Sequence, residues 1–333
     1  MTSRNETTLA DVARRAKVSC SAAGKVLNGG SDTIRVGESA RLRILQAARE
    51  LDYIPNMAAS ILAGGASRLI GILLDSGYSF RYQCLLCEIE KACAERGIRI
   101  LTSFTHENLQ NLEDSYRMFH RYGVSGVICA AHDYPAMKDD FRNRFENAKD
   151  MVYVEKPDVE SNSFVTTCRV NALTQMIAAA RERGCRKIGM LIGNRIWQTE
   201  RMLWSEFQAA MAANGLEVDM NYIHEYEEGL DDKSAIRQHI NSAYEQMVLP
   251  NRPDFLYVDD GDHAAVLLDR LHHGGIDTLL CGGDANPLFA ALGIPSFDPC
   301  YEKIAEGLIS KVLDPSIRHE PLIVEATAGD LLK

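Results

Sequence analysis

The 333-residue sequence has no apolar run of 18 residues or more, the length a helix needs to cross the hydrocarbon core of a bilayer. No helical membrane span is therefore expected. The first fifteen residues, MTSRNETTLADVARR, lack the apolar segment that precedes a secretory cleavage site, so a cytoplasmic location is expected. Missing too are the GxxxxGK[ST] loop, the GxGxxG turn, the GxSxG elbow and the HExxH helix. These motifs build a phosphate cradle, a dinucleotide site, a hydrolase nucleophile and a zinc site. No catalytic residue is nominated, and the chain does not read as an enzyme. The nine cysteines are scattered and odd in number. Their one CxxC, Cys84-Leu-Leu-Cys87, has no second pair at zinc spacing and falls in a helical pattern, where two small apolar residues on one face are a sufficient explanation beside metal or redox chemistry. The nine histidines show no ligand spacing. His272-His273, before Gly274-Gly275, suits the negative end of a helix dipole. Neither a metal nor a cofactor is expected, and no internal repeat or low-complexity segment stands out.

What is present is a globular composition, 46% hydrophobic and 25% charged, in a chain long enough for two sizeable domains. The net charge of −10 is unevenly spread. Residues 1–68 hold ten Lys/Arg and six Asp/Glu, a net +4, which leaves −14 on residues 69–333. A polyanionic partner would meet the basic head.

The head reads as short helices. Thr8-Leu-Ala-Asp11 opens like a capping box, and Leu9, Val12, Ala13 and Ala16 follow on one helical face. After a break near Lys17-Val18, Ser19 can cap a second helix with Ala22, Ala23, Val26 and Leu27 inward, ended by Asn28-Gly29-Gly30. The pattern is that of a helix-turn-helix. A third helix is expected over 37–51, with Leu42, Leu45, Ala48 and Leu51 inward and Arg41, Arg43 and Arg49 outward. Tyr53-Ile-Pro-Asn56 then leads into a short helix, 57–63, too brief to stand alone, and Gly64-Gly65 makes a joint. The expected domains are a helix-turn-helix over 1–52, a hinge helix and linker over 53–67, and a third unit over 68–333. From residue 68 strands and helices alternate. Strands are expected at 69–74, 98–103, 126–130, 151–154, 163–167, 188–192, 255–258 and 278–281. Helices are expected at 82–96, 109–122, 171–183, 200–214, 232–247, 262–273 and 300–313. That alternation means doubly wound parallel sheets, in which ligands bind beyond the C-terminal strand ends.

In sequence order, Thr8-Leu-Ala-Asp-Val-Ala13, Val18-Ser19, Lys25-Val-Leu-Asn28, Tyr53-Ile-Pro-Asn56, Ala59, Leu62-Ala-Gly64 and Ile70-Gly-Ile-Leu-Leu-Asp75 resemble the lactose-repressor/galactose-repressor family. Gly123-Val-Ser-Gly-Val-Ile128, Gly184-Cys-Arg-Lys-Ile188 and Gly283-Asp284 add weaker matches. The resemblance implies a small all-α helix-turn-helix head followed by a two-lobed sensor of the periplasmic-binding-protein type. It further implies a dimeric, nucleoid-associated transcription regulator, a repressor more readily than an activator. Its partners would be a pseudo-palindromic double-stranded operator and a small effector such as a carbohydrate. The chain's last residues carry no leucine heptad, so a homodimer is expected.

By resemblance, Thr8, Ser19, Cys20, Ser21, Lys25, Asn28, Asn56, Ala59 and Leu62 contact DNA. Cys20 and Ser21 take the base-reading positions but are short. Lys25 stands where the family has Arg and lacks that residue's bidentate fork to guanine; a solvated surface lysine is the alternative. Gly24 weakens the recognition helix by about 1 kcal/mol relative to Ala. Leu62 from each of two chains would wedge into the minor groove and kink the duplex. The effector positions implied are Phe80, Asn171, Arg201, Asp259 and Asp284, with Arg195 a competitor for Arg201. Carboxylates and Arg pair hydroxyls while a ring covers an apolar face. The Asp259-Asp260 run with Asp262 makes one corner anionic, although Asp260 and Asp262 also suit a helix cap. A solute-binding protein shares the sensor fold but would carry no such head. A regulator with a lost or altered ligand response remains a third reading.

Overall fold

The computed structural model describes residues 7–28, 36–54, 67–75, 80–161, 163–226 and 235–328. They fall into two compact units, one of residues 1–69 with 120–124 and one of 70–119 with 125–333.

Among its described residues the first unit contains three helices, α1 (Leu9–Ala16), α2 (Cys20–Asn28) and α3 (Glu38–Glu50). The Thr8–Asp11 capping box starts α1: Asp11 N–H donates to Thr8 Oγ1 and Thr8 N–H to Asp11 Oδ2. Lys17, with φ +57°, stops it in the left-handed region, and Ser19 Oγ accepts from Ala22 N–H at 3.2 Å to start α2. Val12, Ala13, Ala16 and Ala23 meet Ile44, Ala47 and Ala48 in a small core. The stripe of α3 is therefore Ile44, Ala47, Ala48 and Leu51, at i, i+3, i+4 and i+7. Leu42, expected inward, lies about 200° around the helix from Ile44 and is 60% exposed. Arg43 is exposed but engaged, donating to Ala16 O at the end of α1.

The second unit carries two sheets. In the first, the strand order is β10-β5-β4-β3-β1-β2, from β1 (Leu69–Leu74), β2 (Arg99–Phe104), β3 (Val127–Cys129), β4 (Met151–Val154), β5 (Phe164–Cys168) and β10 (Leu322–Glu325). In the second it is β7-β6-β8-β9, from β6 (Ile188–Gly193), β7 (Ile223–Tyr226), β8 (Phe255–Val258) and β9 (Leu279–Cys281). The pairs β1–β3, β3–β4, β4–β5, β5–β10, β6–β7, β6–β8 and β8–β9 are parallel. Central strands such as LIGILL, MVYV and FLYV are apolar at consecutive positions because helices cover both faces of such a sheet. At Gly71 a Cβ would overlap the Phe119 ring, so glycine lets α5 (Leu109–Arg121) lie directly on β1.

The helices packed on the first sheet include α4 (Phe80–Glu95) and α12 (Tyr301–Leu313), which share a core of Ile70, Ile89, Ile128, Val152, Leu308 and Ile309. Between β3 and β4 lies α6 (Lys138–Phe145). The second lobe holds α7 (Val170–Glu182), α8 (Gln198–Ala213), α9 (Ile236–Ala243), α10 (Gly261–Gly274) and α11 (Pro287–Ala291). The chain passes between lobes three times: from Cys168 to Val170, from Phe297 to Tyr301, and from Val324 to Ala326. Asp298 and Thr327 exchange two backbone hydrogen bonds of 2.8 Å, joining two of these crossings.

Strands β7 and β10 and helices α6 and α11 were not expected from the sequence. Both strands are sheet edges, and β10 exposes Leu322 and Ile323, so neither shows the buried run that marked the central strands.

Candidate functional sites

At the start of α2, Ser19, Cys20 and Ser21 are exposed, as is Thr8 before α1. Lys25, one turn further on, is half-buried. The two-helix arrangement thus turns short polar side chains outward from the N-terminal end of the second helix, the end that meets base edges in a helix-turn-helix. Gly24 sits in mid-helix, where a Cβ would make ordinary contact with Leu9 at 3.4 Å. Asn28 closes α2, but its side chain lies outside the described residues, as do Asn56, Ala59 and Leu62 and the short hinge helix expected around them.

The second site is built at the C-terminal strand ends between the two lobes of the second unit. Asp259 follows β8 and Asp284 follows β9, and the fold brings these two expected residues together. Gly283 permits this, because a Cβ there would overlap Tyr257 Oη and stand 2.7 Å from Asp259 Oδ1. Tyr257 Oη donates to Asp259 Oδ1 at 2.6 Å. Asn286 N–H donates to Asp284 Oδ1 at 3.1 Å, and Tyr301 Oη from the other lobe donates to Asp284 O at 3.0 Å. Burial pushes the Asp284 carboxyl up to about 7; the charge of Asp259 adds to this and Arg81 opposes it.

Arg81 is the cation of this cluster. Burial works against its charge, but Asp259, Tyr82, Glu155 and Tyr301 together raise it well above the ordinary arginine value. Phe80, the expected aromatic, is its half-buried neighbour at the first position of α4. Beside them runs a buried ion triad. Arg169 donates to Glu155 Oε1 at 2.9 Å and to Glu206 Oε2 at 3.2 Å. Glu155 also accepts from Thr166 Oγ1 and from Thr167 N–H, and it holds φ +64° at the end of β4. Burial would raise the Glu155 carboxyl, but Arg169 and Arg81 bring it below its usual range. For Glu206 burial wins over the same arginine, and its carboxyl moves up.

A third group of contacts clasps the lobes. Helix α8 has no side-chain cap of its own. Asp133, which lies beyond β3, supplies one from across the cleft, accepting from Gln198 N–H at 2.5 Å. Arg201 donates to Asp158 Oδ2 at 3.0 Å and to Gln198 Oε1 at 2.7 Å, while Lys138 also reaches Asp158. Arg195, the competitor, stays within its own lobe, paired with Glu225 and lying 4.5 Å over the Trp204 ring. Arg201 is thus the arginine that reaches between lobes. Asn171 is exposed near the start of α7, its Oδ1 accepting from Gln175. Asp260 caps α10 by accepting from Asp262 N–H, His263 N–H and His263 Nδ1. Three polar atoms at the clasp are enclosed without a partner among the described residues: His132 Nδ1, Asp133 Oδ1 and Trp197 Nε1.

Sequence reasoning missed Arg81, Tyr82, His132, Asp133, Glu155, Arg169, Glu206 and Tyr301. Glu155 and Arg169 directly follow β4 and β5, and His132 and Asp133 come shortly after β3; for these four that position was a signal that could have nominated them. Among the described residues no group of His, Cys, Asp and Glu is arranged to hold a metal ion, and no helix is long and apolar enough to cross a membrane.

The pattern of "Bacterial regulatory proteins, lacI family" matches residues 8–56, which span the head. The HTH-type transcriptional repressor PurR of Photobacterium profundum is 24% identical over 81% of this chain and 78% of its own length. The sucrose operon repressor of Klebsiella pneumoniae is 25% identical over 63% of this chain and 62% of its own length, less than two thirds of that relative. In fold, the chain superposes on the lac repressor dimer bound to operator and an anti-inducer, with TM-score 0.77 and 17% identity over 97% of each chain.

The described residues thus combine a helix-turn-helix with a two-lobed unit of parallel sheets. Residues 8–56 match the lacI family pattern, and the chain as a whole shares the lac repressor's fold.

Proposed function

We propose that the protein is a transcriptional repressor that grips a pseudo-palindromic operator as a homodimer and releases or tightens that grip when a small polyhydroxylated molecule occupies its interlobe cleft. The observation that carries this reading is the head: a capped two-helix turn whose second helix presents Ser19, Cys20 and Ser21 outward, within a segment matching the lacI family pattern. Cys20 and Ser21 reach base edges, and Thr8, Ser19 and Lys25 hold the register on phosphates. Leu62, with Asn56 and Ala59, acts in the minor groove, where an apolar wedge offsets the cost of unstacking with new contacts. The relatives named as repressors, and the lac repressor's operator-bound dimer, support the same assignment here.

The cleft supplies the input. Asp259, Asp284 and Arg81 sit where the lobes meet, with Tyr82 and Tyr301 beside them. A ligand bridging them changes the relative stability of closed and open lobes and so shifts the population competent to bind DNA. Genomic fragments passed over the immobilised full-length protein at low salt test this reading. Retention of fragments sharing an inverted repeat is expected. Uniform failure to retain any fragment, with and without metabolite extract, would refute it.

A further inference from the structure

We infer that the cleft selects a ligand that is both hydroxyl-bearing and positively charged, an amino-substituted polyol or sugar whose ammonium lies between Asp259 and Asp284. The inference rests on the reading of this cleft as the effector site and deepens it.

The charge balance carries the argument. Glu155, Glu206, Asp259 and Asp284 are four carboxylates, and Arg81 and Arg169 are the two guanidiniums facing them. Arg169 is committed to Glu155 and Glu206. Arg169 also feels the charge of Asp259, and Arg81 is the guanidinium that acts on Asp284 while facing Asp259 and Glu155 too. Two negative charges are in excess, in a place where charge is costly unless paired. Part of this is relieved by the raised affinity of Asp284 for a proton, since burial and the charge of Asp259 push its carboxyl up to about 7. The groups facing that carboxyl are Arg81 and Cys84 of α4, Tyr257, Asp259 and Asp260 around β8, and Tyr301 of α12. Only one of them is a fixed cation. An ammonium brings three donors and a full charge, so it can displace that proton and bond both carboxylates.

A separate observation asks for hydroxyls. His132 is 3% exposed, and its Nδ1, with Asp133 Oδ1 and Trp197 Nε1, is enclosed without a partner among the described residues. Buried polar groups left unmet cost free energy that a bound partner recovers. A ligand hydroxyl, donor and acceptor at once, can meet either a carboxylate oxygen or an indole N–H. Phosphorylated or carboxylated ligands would add charge of the sign already in excess.

The test uses matched pairs that differ in one amino group: D-glucosamine against D-glucose, N-methyl-D-glucamine against D-sorbitol, and tris(hydroxymethyl)aminomethane against pentaerythritol. Thermal unfolding of the full-length protein is followed in phosphate buffer at constant ionic strength. In at least one pair the amine is expected to raise Tm by about 2–4 °C at roughly ten times its Kd, with its neutral partner giving a smaller shift. That difference should vanish in the Asp259→Asn, Asp284→Asn double variant, whose fold is checked by its own unfolding curve. Neutral members matching their amines throughout, no amine shift beyond a salt control, or a preference that survives in the double variant would each overturn the inference. Capture of genomic DNA by the same preparation separates the two claims. DNA binding without amine preference defeats this inference alone, and amine preference without DNA binding defeats the regulator reading alone.

Discussion

Replacing Asp284 by Asn isolates the energetic consequence of crowding carboxylates in the cleft. The folded protein pushes this carboxyl from 3.8 up to about 7, so the folded state holds a proton that the unfolded chain has released. A shift of about 3 units at 1.36 kcal/mol each corresponds to about 4 kcal/mol. The sign follows from proton binding. Below about pH 4 the group is neutral in both states and costs nothing. Between about 4 and 7 the folded state binds more protons, so stability falls as pH rises, and above 7 the full penalty applies. Asparagine keeps the oxygen that accepts from Asn286 N–H and carries no charge at any pH. Urea unfolding of the full-length parent and variant between pH 4.5 and 8.5 should therefore show near-equal stability at the acid end. At the alkaline end the variant should gain several kcal/mol, with about 4 as the ceiling. Asp259→Asn should flatten the parent's slope over the same range, because Asp259 is the largest like charge acting on Asp284. A gap between parent and Asp284→Asn that is constant with pH, or a variant less stable at pH 8, would refute the reasoning.

Three further outcomes follow from particular contacts. Arg169→Met leaves Glu155 and Glu206 buried without their shared cation and should destabilise the protein by about 3–5 kcal/mol, read as a lower urea midpoint. Gly24→Ala brings a Cβ into ordinary contact with Leu9 and should stabilise the head by about 0.5–1 kcal/mol through helix propensity. Thermal melting of the head, followed by far-ultraviolet circular dichroism, measures it, and a lower melting temperature would count against the helical placement of residue 24. Asp133→Ala removes the cap that α8 receives from the opposite lobe. Small-angle scattering should show a larger radius of gyration for the variant, and a mere loss of stability with unchanged dimensions would mean that this contact does not hold the cleft closed.

How much of this was legible in the sequence depends on whether the informative signal is local. The head was readable because each of its decisions is made within a few residues. Thr8 and Asp11 cap α1, Lys17 and Ser19 make the turn, and the stripe of α2 follows at once. Leu42 was misplaced because a helix with leucines at 42 and 45 offers two plausible stripes, and only the packing of Ile44 against Val12 and Ala16 chooses between them. Central strands announced themselves by unbroken apolar runs. Edge strands β7 and β10 did not, since an edge is half wetted and satisfies a weaker pattern.

The cleft divides along the same line. Asp259 and Asp284 stood out as acids after apolar strands, and they meet in space. The residues that decide what those acids do came from elsewhere: Arg81 from the start of α4, Arg169 from a crossing between lobes, Tyr301 from another crossing. Charge balance in a buried site is a sum over segments far apart in sequence, so its sign can be read only after the chain has folded. The acid pair alone is compatible with hydroxyl recognition. Set beside one available guanidinium and a histidine nitrogen unmet among the described residues, it becomes a site with a definite demand for positive charge. Specificity in this cleft is therefore written in what Arg169 is unable to supply, because Glu155 and Glu206 already hold it.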